Sequence, residues 1–140
     1  MKQLLQLDFL PRSFDVGVLL LRLGFGGSMA ALHGWGKLMN YSAMSGKFAD
    51  PFGLGPAPSL VLAIIGELVF AVMVAIGLFT RLAALGTAFT MGVAFFIAHE
   101  GNLTGANSGE MSFLYLLAFT ALFISGGGHY SVDAKIGAKV

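Results

Sequence analysis

The chain contains no cysteine, which excludes disulfides, thiol redox chemistry, thiolate metal sites and iron–sulfur clusters together. Any redox role must therefore use a bound cofactor or a partner protein. Charge is also scarce. Only 11% of the 140 residues are Asp, Glu, Lys or Arg, against about 25% in a soluble domain, too few to cover a water-facing surface. The net charge of +1 offers no bulk field for nucleic acid or an acidic partner. Four prolines and one tryptophan complete the list of what is sparse.

What remains is apolar. Hydrophobic residues make up 56% of the chain and there are 20 glycines; mean hydropathy is +0.83. Length and composition predict one domain over residues 1–140. A bilayer core takes roughly 17–25 apolar residues as a helix, and four segments meet or approach that length: Val16 to Leu38, Ser59 to Phe79, Leu82 to Ala98 and Glu110 to Gly127. The expected fold is an all-α bundle of four transmembrane helices. Lys2, Arg12 and the small residues Ser28-Met29-Ala30 also resemble a signal peptide, but Arg22 in the middle of the apolar run argues against one.

Basic residues in short loops predict orientation. Lys2, Arg12, Arg81, Lys135 and Lys139 fall on one side, Lys37 and Lys47 on the other. This places both termini in the cytoplasm and the connection from Met39 to Pro58 outside. Residues 50–58 are rich in Pro and Gly, which predicts irregular structure; Phe48, Phe52 and Leu54 are apolar enough to lie on the membrane or to cover the bundle as a lid. Thr80-Arg81 is the only polar break between the second and third spans and predicts a tight hairpin there, and Gly126-Gly127-Gly128 should end the fourth helix.

Ionisable groups at membrane depth cost about 2.5–3.5 kcal/mol on insertion scales, so their positions are informative. Arg22 falls roughly 9 Å from the inner edge of the first span and Glu67 roughly 12 Å from the outer edge of the second. His33, Lys37, Glu67, His99, Glu100 and Glu110 all fall in the outer half, which predicts a polar pocket open to the outer face with Glu67 paired to Lys37 or His33. In that pocket Glu67 is the candidate proton-handling, catalytic group, and His33, Lys37, His99 and Glu110 are candidate ligand contacts. The same Glu67–Lys37 pair also reads as a buried pin that fixes helix register, and His33 and His99 as headgroup-zone residues. Arg22 and Arg81 read as structural or lipid-facing charges, Arg22 by snorkelling or by pinning helices. His33 and His99 sit too near the edge for a haem, and no HxxxH or ExxH spacing supports a metal, so no metal site is assigned. Trp35 and Tyr41 read as interfacial belt residues.

Gly17, Gly24, Gly27 and Gly34 recur at seven, three and seven residues, a small-residue stripe suited to close helix packing. Gly66-Glu67 and Gly109-Glu110 each fall on a returning helix. They suggest two hairpins related by an axis along the membrane normal, with the pocket between them.

Leu21-Arg22 with Gly26, the run His33-Gly34-x-Gly36-Lys37-Leu38, Gly66-Glu67, Gly77-Leu78-Phe79-Thr80-Arg81, Ala98-His99, Gly109-Glu110 and Gly126-Gly127-Gly128, in that order from Phe14 to Asp133, resemble the DoxX family of small four-helix bacterial membrane proteins. The resemblance implies a multi-pass protein of the bacterial inner membrane in contact with lipid. Some relatives are the membrane subunit of a thiosulfate:quinone oxidoreductase, which implies a redox-associated subunit binding a quinone, with a protein partner or electron donor. It leaves open whether the chain is itself catalytic. Two other functions fit the same residues: a non-catalytic scaffold or assembly partner of a membrane complex, and a small-solute transporter acting as a homo-oligomer. No nucleic-acid role is expected.

Overall fold

The computed structural model describes residues 11–137 together with Leu5 and Leu7. Lys2 and Lys139, which enter the charge balance, lie outside the described residues. The described chain is helical, with no strand among those residues. Four helices dominate: α1 (Phe14–Met39), α3 (Pro56–Ile76), α4 (Thr80–Ala98) and α5 (Glu110–Ser125). Two single-turn helices accompany them, α2 (Tyr41–Met44) between α1 and α3 and α6 (Val132–Lys135) after α5. The first three long helices are long and apolar enough to cross a membrane, and α5 is a shorter apolar helix.

Local chemistry sets the ends, and moves some from where hydropathy alone puts them. α1 starts at Phe14, two residues before Val16, because extended Ser13 accepts the Val16 N–H on its hydroxyl at 3.2 Å. α3 starts at Pro56, inside the stretch expected to be irregular. Gly55 takes φ +99 and Pro56 then fits the first helical position, where its missing N–H costs nothing. α3 stops at Ile76 and not at Phe79. Gly77 is left-handed at φ +77, and Leu78 N–H reaches back to Met73 O at 2.9 Å in a Schellman closure. The hairpin turn is thus Gly77-Leu78-Phe79, and Thr80-Arg81 are the first residues of α4. α5 ends at Ser125, with Gly126 at φ +77.

The long helices form a ring in which successive members are antiparallel and α5 closes back on α1. Gly26 of α1 sits against Ala71 and Ala75 of α3, and Gly34 against the Glu67 backbone; Gly66 of α3 faces Thr90 of α4, and Phe70 faces Gly86. Phe95 of α4 packs on Phe113 of α5 at 5.1 Å, and Ser28 of α1 shares a 2.8 Å hydroxyl hydrogen bond with Tyr115 of α5. Met29, Val74, Ala83, Ala84, Met91, Phe119 and Leu122 fill the middle. Leu20, Leu32, Phe89, Phe96, Leu117 and Ile124 point outward, a distribution that suits lipid and not water.

The glycine seam differs from the predicted stripe. Gly17, Gly24 and Gly27 have no neighbour within 4 Å of where a Cβ would stand, whereas a Cβ on Gly26 would meet Ala71 O at 2.8 Å and one on Gly34 would meet Glu67 O at 2.5 Å. With buried Ala30 between them, Gly26 and Gly34 make a four-residue repeat that follows the helix face more closely than seven-and-three spacing does. Gly26→Ala should therefore cost about 1–3 kcal/mol by overpacking, and Gly27→Ala close to nothing, when the two are compared by unfolding in detergent.

The proposed hairpin repeat is not met. Glu67 is buried in the middle of α3, while Glu110 is the exposed first residue of α5. The two Gly-Glu pairs thus lie at unrelated levels.

Candidate functional site

Glu67 lies in a π-helical turn of α3 (Ile65–Val69), facing a π-helical stretch of α1 (Met29–Gly34). Such turns widen the helix locally and are frequent at functional sites. The absent side chain of Gly34 lets the α1 backbone lie against the Glu67 carbonyl. That approach brings Lys37, one turn further on, onto the carboxylate: Lys37 Nζ donates to Glu67 Oε2 at 2.5 Å. Glu67 is 6% exposed, while the Lys37 side chain is 21% exposed. The carboxylate is thus enclosed and its cation reaches towards the surface.

Glu67 also lines a cleft of about 480 Å³ between α3 and α4. Leu62, Phe70, Phe89, Val93 and Ile97 supply apolar walls; Thr90, Ser59 and Glu67 supply polar atoms. Ala63, Ala94 and Ala98 keep it open where bulkier residues would fill it. Phe48 and Phe52 of the connecting loop cover one end, and the Phe52 ring lies nearly parallel to that of Phe89 at 6.3 Å and 9°. The lid expected of the loop is therefore made by Phe48 and Phe52, with Leu54 left exposed.

Asp50 organises that loop. Its carboxylate accepts the Leu54 and Gly55 N–H groups at 2.9 and 2.8 Å and the Ser59 hydroxyl at 2.8 Å. Partial desolvation pushes its pKa up, but the donors from Gly55, Ser59, Leu54 and Gly53 together outweigh this and hold it below the ordinary carboxylate value. A depressed folded pKa means that the clasp is intact above the ordinary carboxylate range and is lost as pH falls through the lowered value. An NMR titration of the Leu54 and Gly55 amides should give a shared midpoint below the ordinary carboxylate range. That midpoint should vanish in Asp50→Ala.

The other predicted contacts are dispersed. His33 lies edge-on to Tyr115 at 5.6 Å, on the α1–α5 side. His99 Nδ1 is 3.3 Å from Asn107 Oδ1 beyond the end of α4, and Glu110 is exposed at the start of α5. Lys37 is joined to Glu67, but neither it nor His33, His99 or Glu110 lines the cleft.

A second constellation lies at the opposite end, around Arg22. This residue is 1% exposed, so it pins helices and does not snorkel. Its Nε donates to Val74 O at 3.1 Å, and Nη2 to Ala75 O and Tyr130 O at 3.3 and 3.0 Å; Nη1 donates to Gly127 O. Asp133 is within Coulombic reach. Its carboxylate accepts the Phe79 and Thr80 N–H groups and the Thr80 hydroxyl at 2.7–2.8 Å, capping α4 from a distant segment. Asp15 likewise accepts the His129 N–H at 2.8 Å. Arg81 donates to Phe123 O at 3.0 Å, with its guanidinium over the Phe123 ring. Asp133, Asp15, Asp50 and Tyr115 carry no motif that marks these roles in the sequence. Asp133 could have been found as an acid at the same level as Arg22.

A ring of apolar helices with lipid-suited outer faces, a buried ion pair and a buried guanidinium defines a helical membrane protein. The family profile of DoxX matches residues 17–100, and the chain belongs to the DoxX family. A protein of Haemophilus influenzae, described as an uncharacterized protein, is 35% identical over 120 residues, covering 79% of this chain and 84% of the relative. No solved structure matches the chain.

Proposed function

We propose that the chain crosses a bacterial inner membrane four times with both termini cytoplasmic, and that it holds a quinone headgroup at Glu67 as a subunit of a redox-active membrane assembly. The observation that carries this reading is a buried carboxylate, paired with a lysine, at the wall of an apolar cleft. Buried ionisable groups in membrane helices are functional candidates by default. α5, about 24 Å long at 1.5 Å per residue, serves as the fourth span, because it packs along α4 and closes the ring onto α1. The excess of basic residues at the Arg22 end supports the cytoplasmic assignment of that end.

A quinone ring needs an apolar slot, hydrogen-bond donors for its carbonyl oxygens and a proton-accepting group. The cleft walls offer the slot and Glu67 offers the acceptor, with the Lys37 ammonium bound to the carboxylate from outside the cleft; the Thr90 hydroxyl, which donates to Gly86 O at 3.0 Å, becomes a donor to a quinone carbonyl by turning away from that bond. The absence of cysteine assigns electron delivery to a partner protein or soluble donor. The test is to purify the protein in mild detergent, extract it with organic solvent and identify quinone by mass spectrometry, for wild type and Glu67→Gln. About one quinone per chain in wild type and its loss in the variant is the expected result. A quinone-free protein that retains a stoichiometric protein partner would replace this reading with that of a scaffold.

A further inference from the structure

The cleft between α3 and α4 opens on the outside of the ring. Its rim residues Leu62, Phe89 and Ile97 are exposed on the same apolar surface as the outward faces of the spans. The two helices are held together further along. There Gly66 faces Thr90, Gly86 faces Phe70, and the Thr87 hydroxyl donates to Gly66 O at 3.0 Å. Beyond that clamp, towards Pro56 on α3 and Ala98 on α4, small residues leave a gap that the 48–52 loop covers.

The cover is attached on one side. Asp50 ties the loop to Leu54, Gly55 and Ser59, at and just before the start of α3, whereas its contact with α4 includes the parallel Phe52–Phe89 rings. Each of those rings is more than half exposed, at 51% and 64%. Two parallel rings at 6.3 Å lie near the outer limit for an aromatic pair, about 7 Å, and their exposure leaves surface that a third planar group can cover. Glu67 and Thr90 line the same cleft, the Thr90 hydroxyl donating to Gly86 O at 3.0 Å.

We propose that this cleft is entered sideways from the bilayer by a flat-ringed amphiphile whose apolar tail stays in lipid, with Phe52 and Phe89 as its aromatic gate and the Asp50 clasp setting how readily the gate parts. The polar edge of the ring reaches Glu67 and Thr90, and the tail leaves past Leu62 and Ile97. The proposal rests on the assignment of Glu67 as a ligand-binding carboxylate and adds the ligand's route, its tail and the residues that control its exchange.

The reporter is an indole at the gate. Trp35 is the only tryptophan and lies outside this cleft, so Trp35→Phe combined with Phe89→Trp leaves one emitter at the cleft mouth. In lipid nanodiscs, a benzoquinone with a ten-carbon tail is titrated against the same ring without a tail. Saturable quenching is expected, at least tenfold tighter for the tailed probe. Ala63→Phe on the α3 wall, and independently Val93→Phe on the α4 wall should one of them fail to fold, should weaken it at least tenfold. Phe52→Ala and Asp50→Ala should speed probe exchange several-fold in stopped flow with little change in Kd. Quenching that never saturates, or that both wall variants leave unchanged, overturns the proposal. Wall variants that still co-extract native quinone in a Glu67-dependent manner overturn the lateral cleft alone and leave the Glu67 assignment standing. No bound quinone or probe in any variant overturns both.

Discussion

Arg22→Met is expected to cost about 3–5 kcal/mol of folding stability, the range for removing one partner of a buried charged network. Methionine reproduces the aliphatic stem and suits an apolar interior but ends short of the guanidinium, so the void it leaves contributes only part of the loss. Most of it would come from four carbonyls that lose the guanidinium's donors, of which Val74 O keeps the Gly77 N–H at 3.1 Å. Val74 and Ala75 belong to the last turn of α3, and Gly127 and Tyr130 follow α5. The last carbonyls of a helix have no partner within it and lie at its negative dipole end. One guanidinium, with five donors in a fixed fork, satisfies groups from both chain segments. Asp133 would at the same time lose its cation. Arg22→Lys keeps the charge without the fork and should fall between wild type and Arg22→Met. Unfolding midpoints in a denaturing detergent titration would measure this order. A loss below about 1 kcal/mol for Arg22→Met would mean that the carbonyls find other partners and that the knot is not what closes this end of the ring.

Gly77 makes the same point from the other side of the contact. It is left-handed at φ +77, and a Cβ there would stand 2.8 Å from the guanidinium carbon of Arg22. Gly77→Ala should therefore combine backbone strain of about 1–3 kcal/mol with displacement of Arg22. Its effect should be markedly less than additive with Arg22→Met, because both act on one contact. Asp133→Asn, which keeps one acceptor for the α4 N-terminus, should cost less than either.

The sequence told different amounts about different features, for physical reasons. The four apolar segments were legible because lipid demands long uncharged runs, and the burden of charge at depth pointed to Arg22 and Glu67. A partner for Glu67 among Lys37 and His33 followed because all three sit at the same end of neighbouring spans; the structure puts Lys37 on the carboxylate and His33 against Tyr115. Helix ends shifted by up to three residues, since Pro56, Gly77 and Ser13 act through backbone geometry that a hydropathy window does not see. The seam was misplaced because Gly27 and Gly26 are indistinguishable in a list of small residues, yet point 100° apart on a helix. The cleft was misplaced because falling in the outer half says nothing about angle or about the depth within that half: His33 faces Tyr115 of α5, and His99 and Glu110 stand at the end of α4 and the start of α5. Asp133 was passed over because its partners are the N–H groups of Phe79 and Thr80, and backbone donors carry no signature in a sequence.

Glu67 and Lys37 should respond unequally to neutralisation. Lys37→Met strands a carboxylate that is 6% exposed, which must take up a proton or stay charged without a partner. Glu67→Gln strands an ammonium whose side chain is 21% exposed and can turn towards water. The lysine variant should therefore lose more stability, with about 1–3 kcal/mol for Glu67→Gln. The double variant should lose less than the sum, with a coupling of about 0.5–3 kcal/mol, because it removes both charges and leaves neither stranded. This recovery separates the two roles open to Glu67. If the pair only fixes the register of α1 against α3, restoring stability in Glu67→Gln/Lys37→Met restores everything the protein does. If the carboxylate holds a ligand, the double variant regains its unfolding midpoint but still binds quinone at least tenfold more weakly, about 1.4 kcal/mol. The two measurements, midpoint and quinone retention, are made on the same purified samples. Full retention of quinone in a stable double variant would reduce Glu67 to a pin and move the ligand's polar contact to Thr90 or to the loop around Asp50.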